Sequence, residues 1–246
     1  MTNDPKDGGF QLYTSCNALA VSKIPSTLPY TSAAVLPLSI STASACLFKK
    51  ETLALPLPST TAKSTGKSVL VWGGSSSVGA SAIQLAVGAG VKVVSVASKH
   101  NLEKLKELGA AAAFDYASSS VVQDILSALE GTEFAGVCDC IGTPDAAKAW
   151  TPVYQKLGGR YGTVMPDPQG LPEGIEGGFV FAPSVALADR YVGEAVWGKY
   201  VPDALERGSF KARPEPTVIQ GGLEKVQEGM DKLKQGISFG KIVVAL

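Results

Sequence analysis

Val69-Leu70-Val71-Trp72-Gly73-Gly74-Ser75-Ser76-Ser77-Val78-Gly79 is an apolar run that ends in a turn of small residues, and a helix-like segment from Ala80 to Val87 follows at once. A strand–turn–helix unit of this type brings backbone against a pyrophosphate. Glycine and serine leave room for the ligand, and the N–H groups that open the helix face its negative charge. Gly73, Ser76, Ser77, Val78 and Gly79 are therefore candidate contacts to a dinucleotide. In an NAD site, an acid about 20 residues beyond the glycine turn bonds the ribose hydroxyls. Ala97-Ser98-Lys99 occupies that place here, and no acid follows until Glu103. A hydroxyl and a cation accept a 2′-phosphate that an aspartate would repel, so Ser98 and Lys99 point to NADPH as the cofactor. Asn101 in the same connection, and Tyr116 after the third strand, complete the candidate cofactor contacts.

Other chemistry finds less support. His100 is the single histidine, which excludes a multi-histidine metal site or a pair of histidine bases. Cys138 and Cys140 alternate along a buried strand, are expected on opposite faces, and read as core residues rather than as ligands of one metal. Gly66-Lys67-Ser68 matches the end of a phosphate loop, but it precedes a strand, and Thr61 stands where the earlier glycine belongs. Gly74-Ser75-Ser76-Ser77 lacks the second glycine of a nucleophile elbow and has no histidine to complete a triad. Asp115 and Asp139 sit at strand ends, where carboxylates bond backbone or solvent, and receive no catalytic role.

The elements that position these residues alternate. Strands are expected over Lys67–Trp72, Lys92–Ala97, Ala112–Phe114, Gly136–Cys140 and Arg160–Val164, with an apolar strand at Gly178–Val185. Helices are expected over Gly79–Val87, Asn101–Leu108, Val121–Leu129 and Ala146–Lys156. This pattern predicts an α/β fold, a doubly wound parallel sheet covered on both faces. The flanks differ from it. A strand is expected at Gly9–Cys16, a long helix at Val185–Glu206, a proline-rich strand at Ala212–Ile219, a helix at Leu223–Gln235 and a last strand at Lys241–Leu246. Thr52–Gly66, rich in Pro, Ser and Thr, reads as a surface loop. Of the 246 residues 45% are hydrophobic and 18% charged, which describes a globular chain with a sizeable core. Lys+Arg and Asp+Glu both total 22, so the charge balance points to neither nucleic acid nor an anionic membrane. Ile24–Phe48 carries no charge, but Pro25, Pro29 and Pro37 interrupt it, which favours a buried interdomain segment over a membrane span. Met1–Asp7 lacks the pattern of a signal peptide, and four cysteines without an export signal suggest reduced thiols in a cytoplasmic protein.

Six ordered segments carry a family resemblance: Gly8–Tyr13, Leu36–Ala43, Val71–Gly79, Cys138–Gly142, Phe181–Val185 and Gly236–Val244. Through them the chain resembles the medium-chain dehydrogenase/reductase superfamily, in the zinc-free fungal branch of trans-acting enoyl reductases and quinone-oxidoreductase-like enzymes. The resemblance implies a Rossmann domain over 42–182 with remnants of a GroES-like catalytic domain at both ends, 1–41 and 183–246. It implies that Thr42 begins the first helix of the cofactor domain and faces the nicotinamide as the catalytic candidate. Ile141-Gly142 would lie beside the nicotinamide ribose, and Lys241 near the bound cofactor. Zinc-dependent relatives carry a cysteine ligand four residues before the threonine, where this chain has Leu38, so no metal is expected. The chain matches only the last segment of the barrel, and weak turnover is expected unless a partner rebuilds the cleft. The implied activity is NADPH-dependent reduction of an activated double bond in a small-molecule or carrier-bound substrate of secondary metabolism, with a polyketide synthase as partner. A non-redox relative that binds NADPH or a partner, or that catalyses a cyclisation, is the alternative. The edge strand Gly178–Val185 further suggests a homodimer.

Overall fold

The computed structural model describes residues 5–9, 11, 13–166 and 169–246. Six parallel strands form one sheet: β1 (Lys67–Trp72), β2 (Lys92–Ala97), β3 (Ala112–Asp115), β4 (Glu133–Asp139), β5 (Arg160–Thr163) and β6 (Gly177–Phe179), in the order β3-β2-β1-β4-β5-β6. The order reverses direction beside β1, and the crevice at that switch point, outside the carboxyl ends of the strands, is where such sheets take ligands. Alternate residues of each strand serve two cores. Val69 and Val71 face one side, against α2 (Pro37–Phe48), α3 (Ser77–Gly88) and α4 (Leu102–Glu107). Leu70 and Trp72 face the other, against α5 (Val121–Leu129) and α6 (Pro144–Leu157). Burying each large side chain of these cores, such as Ile40, Leu85, Ile125 or Trp150, contributes roughly 1.5–3 kcal/mol.

The short helix α1 (Tyr30–Ala33) leads into α2, and the whole stretch Tyr30–Phe48 is long and apolar enough to cross a membrane. Its packing is that of a core helix, because nine of the twelve residues of α2 are buried in the protein. The loop that follows is less exposed than its composition suggests, since Leu53 and Leu55 insert into the core.

The flanks depart most from expectation. Phe10 and Leu12, within the strand expected at Gly9–Cys16, lie outside the described residues, and the remaining residues of that segment form no strand. The edge strand shrinks to Gly177–Phe179. Pro183 supplies no ladder donor, and a 3₁₀ turn over Ala182–Ala186 takes the chain away from the sheet. The long helix becomes α7 (Arg190–Ala195), a π-type segment over Val196–Tyr200 and α8 (Val201–Glu206). Pro202 has no N–H for the preceding turn, and the amide of Val201 reaches back to Val196 instead. After these, β7 (Glu215–Gln220) and β8 (Gly240–Ala245) form a separate parallel pair joined through α9 (Val226–Lys234), which a 3₁₀ turn at Gly222–Lys225 precedes.

Candidate functional site

β1 delivers the chain to Gly73, whose φ of +82° an L side chain rarely adopts. The turn closes through Ser76 N–H to Gly73 O at 3.0 Å, and the Ser76 hydroxyl then caps α3 by accepting from the amide of Gly79 at 3.0 Å. The remaining amides of this first helical turn, with Ser77 and Val78 half-exposed beside them, have no partner within the helix. Gly79 is jammed against the turn: a Cβ there would lie 2.3 Å from Gly73 O and 2.7 Å from Gly74 Cα. The helix N-terminus and the turn thus form one cradle with no side chain between them, which is what close approach to a pyrophosphate requires.

Beside the cradle lies a cavity of about 330 Å³, lined by Trp72, Gly73, Ala97, Tyr116, Ile141 and Thr143 among others. Its volume and apolar walls with a few polar groups suit a nucleoside. At its rim the Ser98 hydroxyl donates to the Tyr116 hydroxyl at 3.3 Å, so the two side chains picked out from separate strands meet. Lys99, the next residue, is exposed. Asn101 turns out differently. It is buried, its amide donates to Ser238 Oγ at 3.0 Å, and its oxygen accepts from Lys104 Nζ at 3.2 Å. It braces the loop rather than facing the cavity. Ser238, which also bonds His100 Nε2 at 2.8 Å, ties this loop to the C-terminal segment and was not singled out from the sequence.

Thr42 lies in the middle of α2, not at its start. The helix runs from Pro37 because Leu36-Pro37 is an acceptable first turn, proline having no amide to lose there. The Thr42 hydroxyl donates to Leu38 O at 2.7 Å, which leaves its oxygen lone pairs as acceptors. Lys241 on β8 is half-buried and donates to Val35 O at 3.3 Å, and burial pushes its ammonium below the usual lysine range. Like Thr42, it is not among the residues that line the cavity beside the turn.

The expectation for Cys138 and Cys140 was wrong in its geometry. Residues two apart along a strand share a face, and the two sulfurs lie 3.7 Å apart. They remain core residues. Hydrogen bonds to Cys138, followed by burial, hold Cys46 and Cys140 well above the usual thiol range, so both stay protonated. Asp139 does more than end a strand. One carboxylate oxygen accepts the amides of Ile141 and Gly142, each at 2.9 Å, and the other accepts the Trp150 indole N–H at 3.0 Å. Its position three residues before Gly142, at the carboxyl end of a strand, was the available signal.

Residues 77–164 match the family model described as zinc-binding dehydrogenase. Across its whole length the chain is 45% identical to trans-enoyl reductase himH of Aspergillus japonicus, of which it covers 71%. It is 41% identical to dehydrogenase orf1 of Aspergillus niger, again over its whole length and 72% of that protein. Among solved structures it is similar in fold to the CurK enoyl reductase, with a TM-score of 0.64 at 20% identity, covering 90% of this chain. The chain spans 64% of that structure's length.

The donor set for the zinc that the family model's description implies does not fit. Leu38 stands where the resemblance places a cysteine ligand, and among the described residues no group of three or more His, Cys, Asp or Glu could hold a metal. Elemental analysis of the purified protein is expected to find well under one zinc per chain, and a stoichiometric zinc would overturn this reading of Leu38. With the strand order, the glycine cradle and matches along the whole of this chain to a fungal trans-enoyl reductase and a fungal dehydrogenase together, the chain belongs to the medium-chain dehydrogenase/reductase superfamily, in its fungal trans-enoyl reductase branch.

Proposed function

We propose that the protein is an NADPH-dependent reductase of activated carbon–carbon double bonds, acting on an α,β-unsaturated thioester or ketone, free or carrier-bound, in fungal secondary metabolism. The observation that carries the reading is the cradle at Gly73–Gly79 beside a cavity lined by Ala97 and Tyr116, with the Ser98 hydroxyl bonded to that of Tyr116 and no carboxylate contributed by β2. The 45% identity to a trans-enoyl reductase supports the reaction class. When bound, the nicotinamide supplies a hydride for the β-carbon of the acceptor.

The chain's own residues bind and orient. Amides opening α3 take the pyrophosphate, while Ser98, Lys99 and Tyr116 take the 2′-phosphate. The Thr42 hydroxyl, its proton committed to Leu38 O, is left to accept an N–H such as that of a carboxamide. Trp72 and Ile141 give the cavity apolar walls that exclude water. The proton that completes the reduction comes from solvent, and a polyketide synthase supplies the unsaturated acyl chain.

Purified protein is expected to oxidise NADPH in the presence of a crotonyl or cinnamoyl thioester. Thr42→Val, nearly the same shape without the acceptor, should lower the rate by about three- to tenfold, the worth of one net hydrogen bond. Tight NADPH binding with no oxidation against any thioester or enone would sink the reductase reading and leave a nucleotide-binding role.

A further inference from the structure

Ile141 stands directly in front of the turn. A Cβ on Gly73 would fall 2.5 Å from Ile141 Cγ1 and 2.6 Å from its Cδ1, so this side chain fills the space that the glycine leaves open. Both residues line the 330 Å³ cavity. What keeps Ile141 there is the sharp corner at Ile141-Gly142, where Gly142 adopts a φ of +72° and packs against Met165 and Thr163. Asp139, 1% exposed at the end of β4, spans that corner from beneath. Its Oδ1 takes both corner amides, and its Oδ2 is anchored by the indole of Trp150, a fully buried residue of α6.

We infer that Asp139 is a positioning residue for the nucleotide: by holding the Ile141-Gly142 corner it fixes the cavity wall in front of Gly73 in its binding-competent place. The inference rests on the reading that the nucleotide lies in this cavity. The alternative is a staple that serves the fold alone. Two features favour positioning. The corner that Asp139 holds is itself part of the cavity lining, and a buried carboxylate is a costly choice where stability alone is at stake. Its two oxygens are taken up by the two corner amides and the Trp150 indole. Without the carboxylate the corner amides lose their acceptor, and binding must then also order the loop, which lowers affinity without removing any direct contact.

The test compares dissociation constants for NADPH, read by nucleotide fluorescence well below each variant's melting temperature. Asp139→Ala is expected to weaken binding by about tenfold or more. Asp139→Asn keeps an oxygen for the two amides and should return to within about threefold of the parent, whereas Trp150→Phe, which leaves Oδ1 in place, should lower the melting temperature yet stay within about twofold. Folded Asp139→Ala that binds as the parent does, or Asp139→Asn as weak as Asp139→Ala, would overturn the inference. If Asp139→Ala does not fold, Asp139→Ser, whose shorter side chain also fails to reach both corner amides, takes its place: it should lose a similar factor, and unchanged affinity counts against the inference. Gly79→Asp separates the two levels. Loss of binding in Gly79→Asp with normal binding in the folded Asp139 variant removes only the positioning role, whereas normal binding in Gly79→Asp removes the site itself.

Discussion

Gly79→Asp is expected to abolish NADPH binding in a protein that retains its sheet. Any Cβ at this position collides with backbone, the carbonyl of Gly73 and the Cα of Gly74, and neither can swing aside as a side chain would. The carboxylate adds repulsion against a pyrophosphate seated at the amides that open α3. Two unit charges 4 Å apart interact by about 4 kcal/mol at an effective dielectric constant of 20, or about three orders of magnitude in affinity. Gly79→Ala, which carries the steric effect without the charge, should weaken binding by about tenfold or more and so apportions the two causes. Calorimetric titration alongside a thermal melt distinguishes lost binding from lost folding. A folded Gly79→Asp that binds NADPH with parental affinity would remove the cradle from the argument.

NADPH should bind at least about tenfold more tightly than NADH. The basis is the end of β2, where Ala97-Ser98-Lys99 offers a hydroxyl and a cation, with the Tyr116 hydroxyl 3.3 Å from that of Ser98. Hydrogen bonds to a charged group contribute roughly 1.5–3 kcal/mol each way of counting the site, and a factor of ten needs only about 1.4. Lys99 is exposed and Tyr116 is 53% exposed, so the contact lies toward the lower end and is screened by salt. The preference should therefore narrow between low and high ionic strength, and Lys99→Ala should weaken NADPH while sparing NADH. Equal affinities for the two nucleotides at low salt would refute the assignment of these residues.

Much of the nucleotide fold was legible in advance. The spans of β1, β2 and α5 agree residue for residue with expectation. Parallel strands buried on both faces read as continuous apolar runs, and the amphipathic spacing of Val121, Ile125 and Leu129 marks a single buried face. The C-terminal third was less legible. Gly178–Val185 is as apolar as a strand, but an apolar run has the same composition whether it pairs in a sheet or packs as a 3₁₀ turn, and Pro183 was the discriminating residue. The helix expected at Val185–Glu206 begins only at Arg190, after the 3₁₀ turn, and its π-type segment depends on how Pro202 is accommodated in a packed neighbourhood.

By itself, the sequence determined the alternation of strands and helices, the glycine turn that opens a helix, and the missing acid after β2. Each of these depends on residues within about one turn of one another, where propensity, φ preference and side-chain chemistry act directly. Tertiary structure alone decided what those residues face. Asn101 is turned inward by Ser238, 137 positions away, and Lys241 by the carbonyl of Val35, 206 positions away. Ser98 meets Tyr116 only because β2 and β3 pair in register, and Asp139, whose first two donors are local, acquires its third only when α6 packs Trp150 beneath β4. Hydrogen-bonding groups are satisfied by whatever partner the packed chain brings within about 3 Å, and for Asn101 and Lys241 that partner lay far away in sequence.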